Sequence, residues 1–139
     1  MSKDAVAQKI TALQRCVSQA RKGALAEAEG EFKSNYLFQD AAILNVIRAC
    51  ETSIDIANML IRDKRLGIPT ESRDSFAILA REKLIDIDLD QRLEKMVGFR
   101  NLAVQRYREI DLDIVETVIR SGLDDLLVFA KVMHEQMSA

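Results

Sequence analysis

The chain has 139 residues, 48% hydrophobic and 30% charged, with one proline and five glycines; this is the composition of one soluble helical domain and excludes a disordered or all-β chain. Twenty lysines and arginines against 22 aspartates and glutamates give a net charge of -2, so no global basic field exists and any nucleic-acid contact must be local. No apolar run approaches the roughly 20 residues of a membrane span and MSKDAVAQKI lacks the apolar core of a signal peptide, so a cytoplasmic protein with no membrane partner is expected.

Hydrophobic periodicity predicts five helices. Val6, Ile10, Leu13, Val17, Ala20 and Ala24 recur at steps of three and four and mark a first helix from about Lys3 to Glu29, with Gly30 as its stop. A second runs from near Leu37 to Arg65, turning Ala41, Leu44, Ile47, Ile54, Ala57 and Ile61 inward, and Gly67 and Pro69 end it as cap and breaker. Ser72 is placed to cap a short third helix bearing Phe76, Leu79 and Leu84. The alternating IDIDLD that follows imitates a strand but has no partner strand, so it reads as a connection.

The fourth helix is expected from near Asp88, through Leu93, Met96, Phe99, Leu102 and Ala103, to about Ile110. Asp113, with Glu116 three residues on as in a capping box, opens the fifth, whose buried stripe is Val115, Val118, Leu123, Leu126, Ala130 and Met133. No internal repeat, low-complexity tract or linker interrupts the chain. Amphipathic helices joined by short loops favour antiparallel neighbours, so the expected architecture is an all-α up-and-down four-helix bundle with one extra short helix, a single domain over residues 1–139.

Metal and triad chemistries find little to work with. Cys16 and Cys50 lie far apart inside helical patterns and read as small core residues. The single histidine, His134, falls near the end of the last helix, reads as a surface residue, and leaves no zinc cluster and no Ser-His or Cys-His pair.

GFRNLAVQRY, residues 98–107, is the informative stretch. On a continuous helix at about 100° per residue, Arg100 and Tyr107 nearly superpose, Asn101 and Gln105 stack beside them and Arg108 falls between, opposite Phe99, Leu102, Ala103 and Ile110. One reading is a solvated face with local hydrogen bonds. The other is a phosphate site, because a guanidinium presents a planar fork of donors to phosphate oxygens and a phenol can stack on a base or donate a proton. Spacing alone does not choose between them.

Arg100, four residues, position 105, one residue and Tyr107 resemble the R-x4-H-x-Y signature of the HepT toxins, a branch of the HEPN (higher eukaryotes and prokaryotes nucleotide-binding) superfamily. The surrounding segments LFQDAAILNVIRACETSIDIAN, GIPTESRDSF, KMVGFRNLAV and EIDLDIV also resemble HepT, so the likeness extends from about Leu37 onward. It implies a helical homodimer with two motifs facing across the interface and a metal-independent endoribonuclease needing no cofactor. It also implies a toxin-antitoxin pair of the type VII kind, whose partner antitoxin MntA, a nucleotidyltransferase, silences the toxin by transferring AMP from ATP to the motif tyrosine. Carried over, Arg100 holds the scissile phosphate of an RNA substrate, Tyr107 is the modified residue, and Asn101 and Arg108 support the site.

The departure is Gln105, where the family has histidine. Histidine, with a pKa near 6.5, can take the proton of a ribose 2′-hydroxyl and return one to the leaving oxygen; glutamine cannot. A weak nuclease or none is therefore expected. Two origins account for the glutamine: natural loss of catalysis, or an engineered His→Gln replacement allowing a toxic protein to be produced, the second favoured by the otherwise intact signature. The same residue sustains an alternative, a noncatalytic HEPN module that binds a nucleotidyltransferase or RNA. Elsewhere Asp40, Arg48, Glu51 and Asp55 share one side of the second helix and Arg73 and Asp74 open the third. Salt bridges account for most of them, with Asp40, Glu51 and Arg73 as lesser site candidates and Tyr36 as a packing residue.

Overall fold

The computed structural model describes residues 3–22 and 32–138, and among these every regular element is helical. In chain order they are α1 (Lys3–Arg21), α2 (Tyr36–Lys64), α3 (Ser72–Arg81), α4 (Ile87–Gln105), α5 (Leu112–Thr117) and α6 (Leu123–Ser138). Short 3-10 turns occupy Phe32–Ser34 and Tyr107–Glu109, and a π-helical turn, Val118–Gly122, joins α5 to α6 into the expected fifth rod. The expected end of the first helix, with Ala24 and Gly30, lies outside the described residues.

α2 is the central helix, packed against α1, α3, α4 and α6. α4 runs antiparallel to α2, since Cys50 sits over Met96 while Asp40, earlier on α2, meets Tyr107 just past the end of α4. Arg21 meets Asp124, while Ile10 shares a groove with His134, so α1 and α6 are antiparallel too. Leu13, Ile56, Leu93, Ile119, Leu126 and Phe129 are fully buried, and Phe76 of α3 meets Phe129 edge-on, centroids 5.2 Å apart at 89°. That geometry sets the positive ring edge against the negative face.

Several predicted details are corrected. The N-cap of α2 is Asn35, whose side chain accepts from Phe38 N–H at 3.2 Å, and the helix ends on Arg65 in the left-handed region rather than on Gly67. Gly67 serves one step later, where φ is +138°, a conformation open to glycine and strained for other residues. On α2 the predicted Ile54, Ala57 and Ile61 are buried, but in its first half the inward residues are Ala42, Ile43, Val46, Ala49 and Cys50, so Ala41 and Leu44 point outward, as does Leu102 on α4. Ser72 is the first residue of α3, not its cap: Glu71 holds that place, and the Asp74 carboxylate accepts its N–H at 3.1 Å. The last four residues of IDIDLD are the opening of α4, capped by Asp86, which accepts from Leu89 N–H at 2.7 Å. Asp111, not Asp113, caps α5: Asp113 is already inside the helix and donates its N–H to the Asp111 carboxylate at 2.8 Å, while its own carboxylate pairs with Lys33. Cys50 is buried as expected and Cys16 only partly so.

Asp90, in the first turn of α4, is buried with its Oδ1 lacking a hydrogen-bond partner among the described residues. Burial, reinforced by the neighbouring Glu94 carboxylate, pushes its pKa up to about 7. The folded chain thus holds this proton more tightly than the unfolded chain, whose aspartates titrate near ~4, so the associated stability is complete below that pH and is lost as pH rises through about 7. Asp90→Asn keeps the shape without the charge. Thermal melts across this range should show the native chain losing stability relative to Asp90→Asn as pH rises; parallel curves for the two proteins would count against a buried, neutral Asp90.

Candidate functional site

Two pockets hold the residues of interest, one between the start of α3 and α4, the other between the start of α2 and the turn that follows α4. The first is a cavity of 350 Å³ lined by Glu71, Ser72, Arg73, Val97, Arg100 and Asn101. Thr70 and Glu71 donate their backbone N–H groups to the Asp74 carboxylate at 3.0 and 3.1 Å, which fixes the start of α3 and sets Ser72 facing α4. Arg100, half-buried, donates from Nη2 to Ser72 Oγ at 3.0 Å, while its buried Nε has no partner among the described residues. Its charge lies close enough to Cys50 to oppose the burial that pushes that thiol up to about 12. Arg73 reaches the same pocket because Gly98 makes room for it: a Cβ there would lie 2.6 Å from the Arg73 guanidinium. Two guanidiniums and one carboxylate thus surround a half-open polar cavity suited to an anion with oxygen acceptors.

The second cavity, 650 Å³, is lined by Lys33, Tyr36, Gln39, Asp40, Ile43, Tyr107, Arg108, Ile110 and Leu112. Here the expectation of one continuous helix to about Ile110 fails. α4 stops at Gln105; Arg106, at φ -134° and ψ 45°, leaves the helix, and Tyr107 belongs to a 3-10 turn closed by Glu109 N–H on the Arg106 carbonyl at 3.0 Å. The Tyr107 hydroxyl donates a hydrogen bond to the Asp40 carboxylate. Partial burial, aided by that bond and the carboxylate charge, pushes the phenol up to about 12. The floor is held by Gln39, buried and donating to the Phe32 carbonyl at 2.9 Å.

Arg100 and Tyr107 therefore do not superpose on one helical face. Arg100 sits a turn beyond Met96, which faces Cys50, while Tyr107 faces Asp40, ten residues earlier on α2 and thus about 15 Å along that helix. Gln105 is exposed at the end of α4 and lines neither pocket, Asn101 accompanies Arg100, and Arg108 accompanies Tyr107. Of the lesser candidates, Asp40 and Arg73 each enter a pocket. Glu51 and Arg48 stay exposed on α2, and Asp55 pairs with Lys9 at 3.2 Å. Tyr36 is not a packing residue: it is 79% exposed on the rim of the Tyr107 cavity. His134 is on the surface of α6, as expected.

Sequence reasoning missed Ser72 as the Arg100 acceptor and Lys33 as a cation at the second cavity. Ser72 had drawn notice as a cap, and only the packing of α3 on α4 reveals its second role. Among the described residues, no three histidine, cysteine, aspartate or glutamate side chains gather as a metal site, and no helix is long and apolar enough to cross a membrane.

Comparison with known proteins adds to this geometry. A family model described as Ribonuclease HepT-like matches residues 10–133. The chain is 43% identical, over 134 residues covering 96% of it and 98% of the relative, to the mRNA nuclease HepT of Shewanella oneidensis. Among solved structures it is similar to the tri-AMPylated Shewanella oneidensis HEPN toxin in complex with MNT antitoxin, with a TM-score of 0.89, 41% identity and coverage of 97% of this chain and 99% of that one. A toxin-antitoxin complex with AMP-PNP matches at the same TM-score and 41% identity, covering 95% and 98% of the two chains.

Proposed function

The chain belongs to the HepT-like ribonuclease family, and from that premise we propose that it is the toxin of a HepT/MntA toxin-antitoxin pair, an endoribonuclease slowed by Gln105 and silenced by AMP transfer to Tyr107. The observation that carries the reading is the Arg100 pocket: a half-buried guanidinium anchored by Ser72, with no partner for Nε among the described residues, beside a second guanidinium on Arg73. A phosphodiester entering there receives donors for its non-bridging oxygens. As the ribose 2′-hydroxyl attacks the adjacent phosphorus in line, negative charge grows on those oxygens and Arg100 stabilises it without a metal ion. The products are a 2′,3′-cyclic phosphate and a 5′-hydroxyl. Proton transfer belongs to position 105, and an exposed glutamine leaves that step to water. The glutamine is also what favours the second reading, a noncatalytic module that binds the nucleotidyltransferase or RNA. Incubating Gln105→His protein with RNA in excess chelator tests the reading: fragments with cyclic phosphate ends support it, and uncut RNA transfers support to the module.

A homodimer completes the site. In one chain Arg100 and Tyr107 serve different pockets, and a net charge of -2 supplies no general attraction for RNA, so a two-fold axis that doubles Arg100, Arg73 and Arg108 builds the local positive surface. Leu37, Ala41 and Leu44 form an outward stripe on α2, with Leu102 exposed on the adjoining α4, and a second copy of the chain would cover them. Sedimentation at micromolar concentration should give about 31 kDa, twice the 15.7 kDa chain, and Leu44→Arg should shift the protein to monomer without unfolding it. A native monomer would remove the composite surface.

A further inference from the structure

We infer that Asp40 is the general base for AMP transfer onto Tyr107, so that the modified chain supplies a catalytic group for its own modification. The inference rests on the reading of Tyr107 as the acceptor and deepens it. In one step, the Tyr107 Oη forms a bond to the α-phosphorus of a nucleoside triphosphate held by the partner nucleotidyltransferase. The bond from that phosphorus to the oxygen of the β-phosphate breaks, its electron pair leaves with pyrophosphate, and the phenolic proton passes to the Asp40 carboxylate and thence to solvent.

The geometry has the required order. Tyr107 already donates its hydroxyl hydrogen to Asp40, so the oxygen lone pairs remain directed away from the carboxylate and available to phosphorus. Both residues line an open 650 Å³ cavity, and Tyr107 is 38% exposed, so the nucleophile is accessible where the base touches it. An aspartate accepting the proton of a hydroxyl as it attacks a phosphorus is the arrangement kinases use for their substrates. The phenol needs that help: held at about 12, it is protonated at neutral pH and is a weak nucleophile until the proton begins to move.

Position in the fold supports a dedicated role. Asp40 is on the second turn of α2, exposed, and among the described residues no lysine or arginine pairs with it, whereas the nearby carboxylates of Asp113 and Glu109 are engaged by Lys33 and Arg106. The other titratable groups around the phenol are Lys33, Tyr36 and Arg108, with Asp111, Asp113 and Glu116 grouped about Lys33. Arg108 and Lys33 bring positive charge to the side from which a triphosphate must approach, and neither is a base at neutral pH. Asp40 is the carboxylate in contact with the reacting oxygen.

The test uses the full chain with its partner nucleotidyltransferase, ATP and Mg²⁺, following AMP addition by intact-mass spectrometry across pH 6.5–10 and mapping it by peptide fragmentation. Asp40→Asn keeps a hydrogen-bond acceptor of the same shape, and although burial still holds the phenol raised, losing the carboxylate charge eases its ionisation, so the variant should lose about 10²-fold in rate near pH 7 and recover part of it as rising pH ionises the phenol unaided. Asp40→Glu, which restores a carboxylate, should recover part of the neutral-pH rate. Native-like transfer by Asp40→Asn, or a loss that is the same at every pH, would overturn the inference while leaving Tyr107 as acceptor. A native chain that takes AMP on another residue, or none, would overturn the reading beneath it as well, and the two failures are told apart in the same mass spectra.

Discussion

Gln105→His is expected to raise the rate of RNA cleavage by ~10²–10⁴-fold, the span attributable to a general acid-base. The substitution adds what the pocket lacks and disturbs little. Gln105 is the last residue of α4 and exposed, so an imidazole there stays near its ordinary pKa of ~6.5, divided between both protonation states at neutral pH, and packs against no core residue that would have to move. In the chain it lies five residues after Arg100 and two before Tyr107, at the position where the resembling signature carries histidine. Cleavage should survive excess chelator and should arrest growth of cells expressing the variant. Adding Arg100→Ala to Gln105→His should abolish the gain, because the proton shuttle would then face a phosphate with no guanidinium to hold it. If the double variant cuts as fast as Gln105→His, the phosphate is bound elsewhere and the Arg100 assignment is wrong.

Tyr107→Phe is expected to eliminate AMP addition altogether, since it removes the attacking oxygen and leaves the ring in place. The competitor is Tyr36, which is more exposed and lines the same cavity, so exposure alone would select the wrong phenol. What distinguishes Tyr107 is its hydrogen bond to Asp40 and its place on the turn that follows α4. With the cognate nucleotidyltransferase, ATP and Mg²⁺, intact-mass spectrometry should show one or more AMP additions on the native chain and none on Tyr107→Phe. Tyr36→Phe should label as the native chain does. Because the partner enzyme would catalyse the transfer, Gln105 should not prevent it, and the native chain should serve as substrate. Each added AMP brings a base and a phosphate charge beside Arg108, in the path that RNA must take, and inhibition follows from occupancy and repulsion. Label that persists in Tyr107→Phe and maps to Tyr36 would reverse the assignment.

Much of the fold is written in local pattern. Val6, Leu13, Val17 and Ala20 follow the α-helical period closely enough that the core face of α1 is read correctly, and Val115, Leu123, Leu126, Ala130 and Met133 do the same for the last rod. Failures occur where a tertiary partner decides. Leu44 and Leu102 are apolar and read as inward, yet both face outward, since hydrophobicity marks a side chain for burial without saying whether its own chain supplies the cover. The end of α4 carries no proline or glycine, so nothing local announces that the helix stops at Gln105, and the superposition of Arg100 on Tyr107 was drawn on a helix that does not continue. Asp113 fits a cap by type and spacing, but Asp111, of the same type two residues earlier, takes the place and accepts the Asp113 N–H. At the candidate site, Arg100, Gln105 and Tyr107 stand at the positions of the family signature, whereas Ser72, Lys33 and the contact of Asp40 with Tyr107 join segments far apart in the chain and have no local signature.

The bond from Arg21 at the end of α1 to the Ile119 carbonyl, 3.1 Å long, spans 98 residues, and the same guanidinium reaches Asp124 at 2.7 Å. Contacts of such separation close a loop that includes nearly the whole domain, and the entropy of that closure is met only when everything between is already ordered. On a ribosome, α1 and α2 can therefore pair early, while the seam between α1 and the last rod must wait until the residues following Gly122 have been synthesised and released from the exit tunnel. Assembly of the bundle is in this sense a late event in the life of each chain, and a truncated or stalled translation product lacks the strut that holds its first helix against its last.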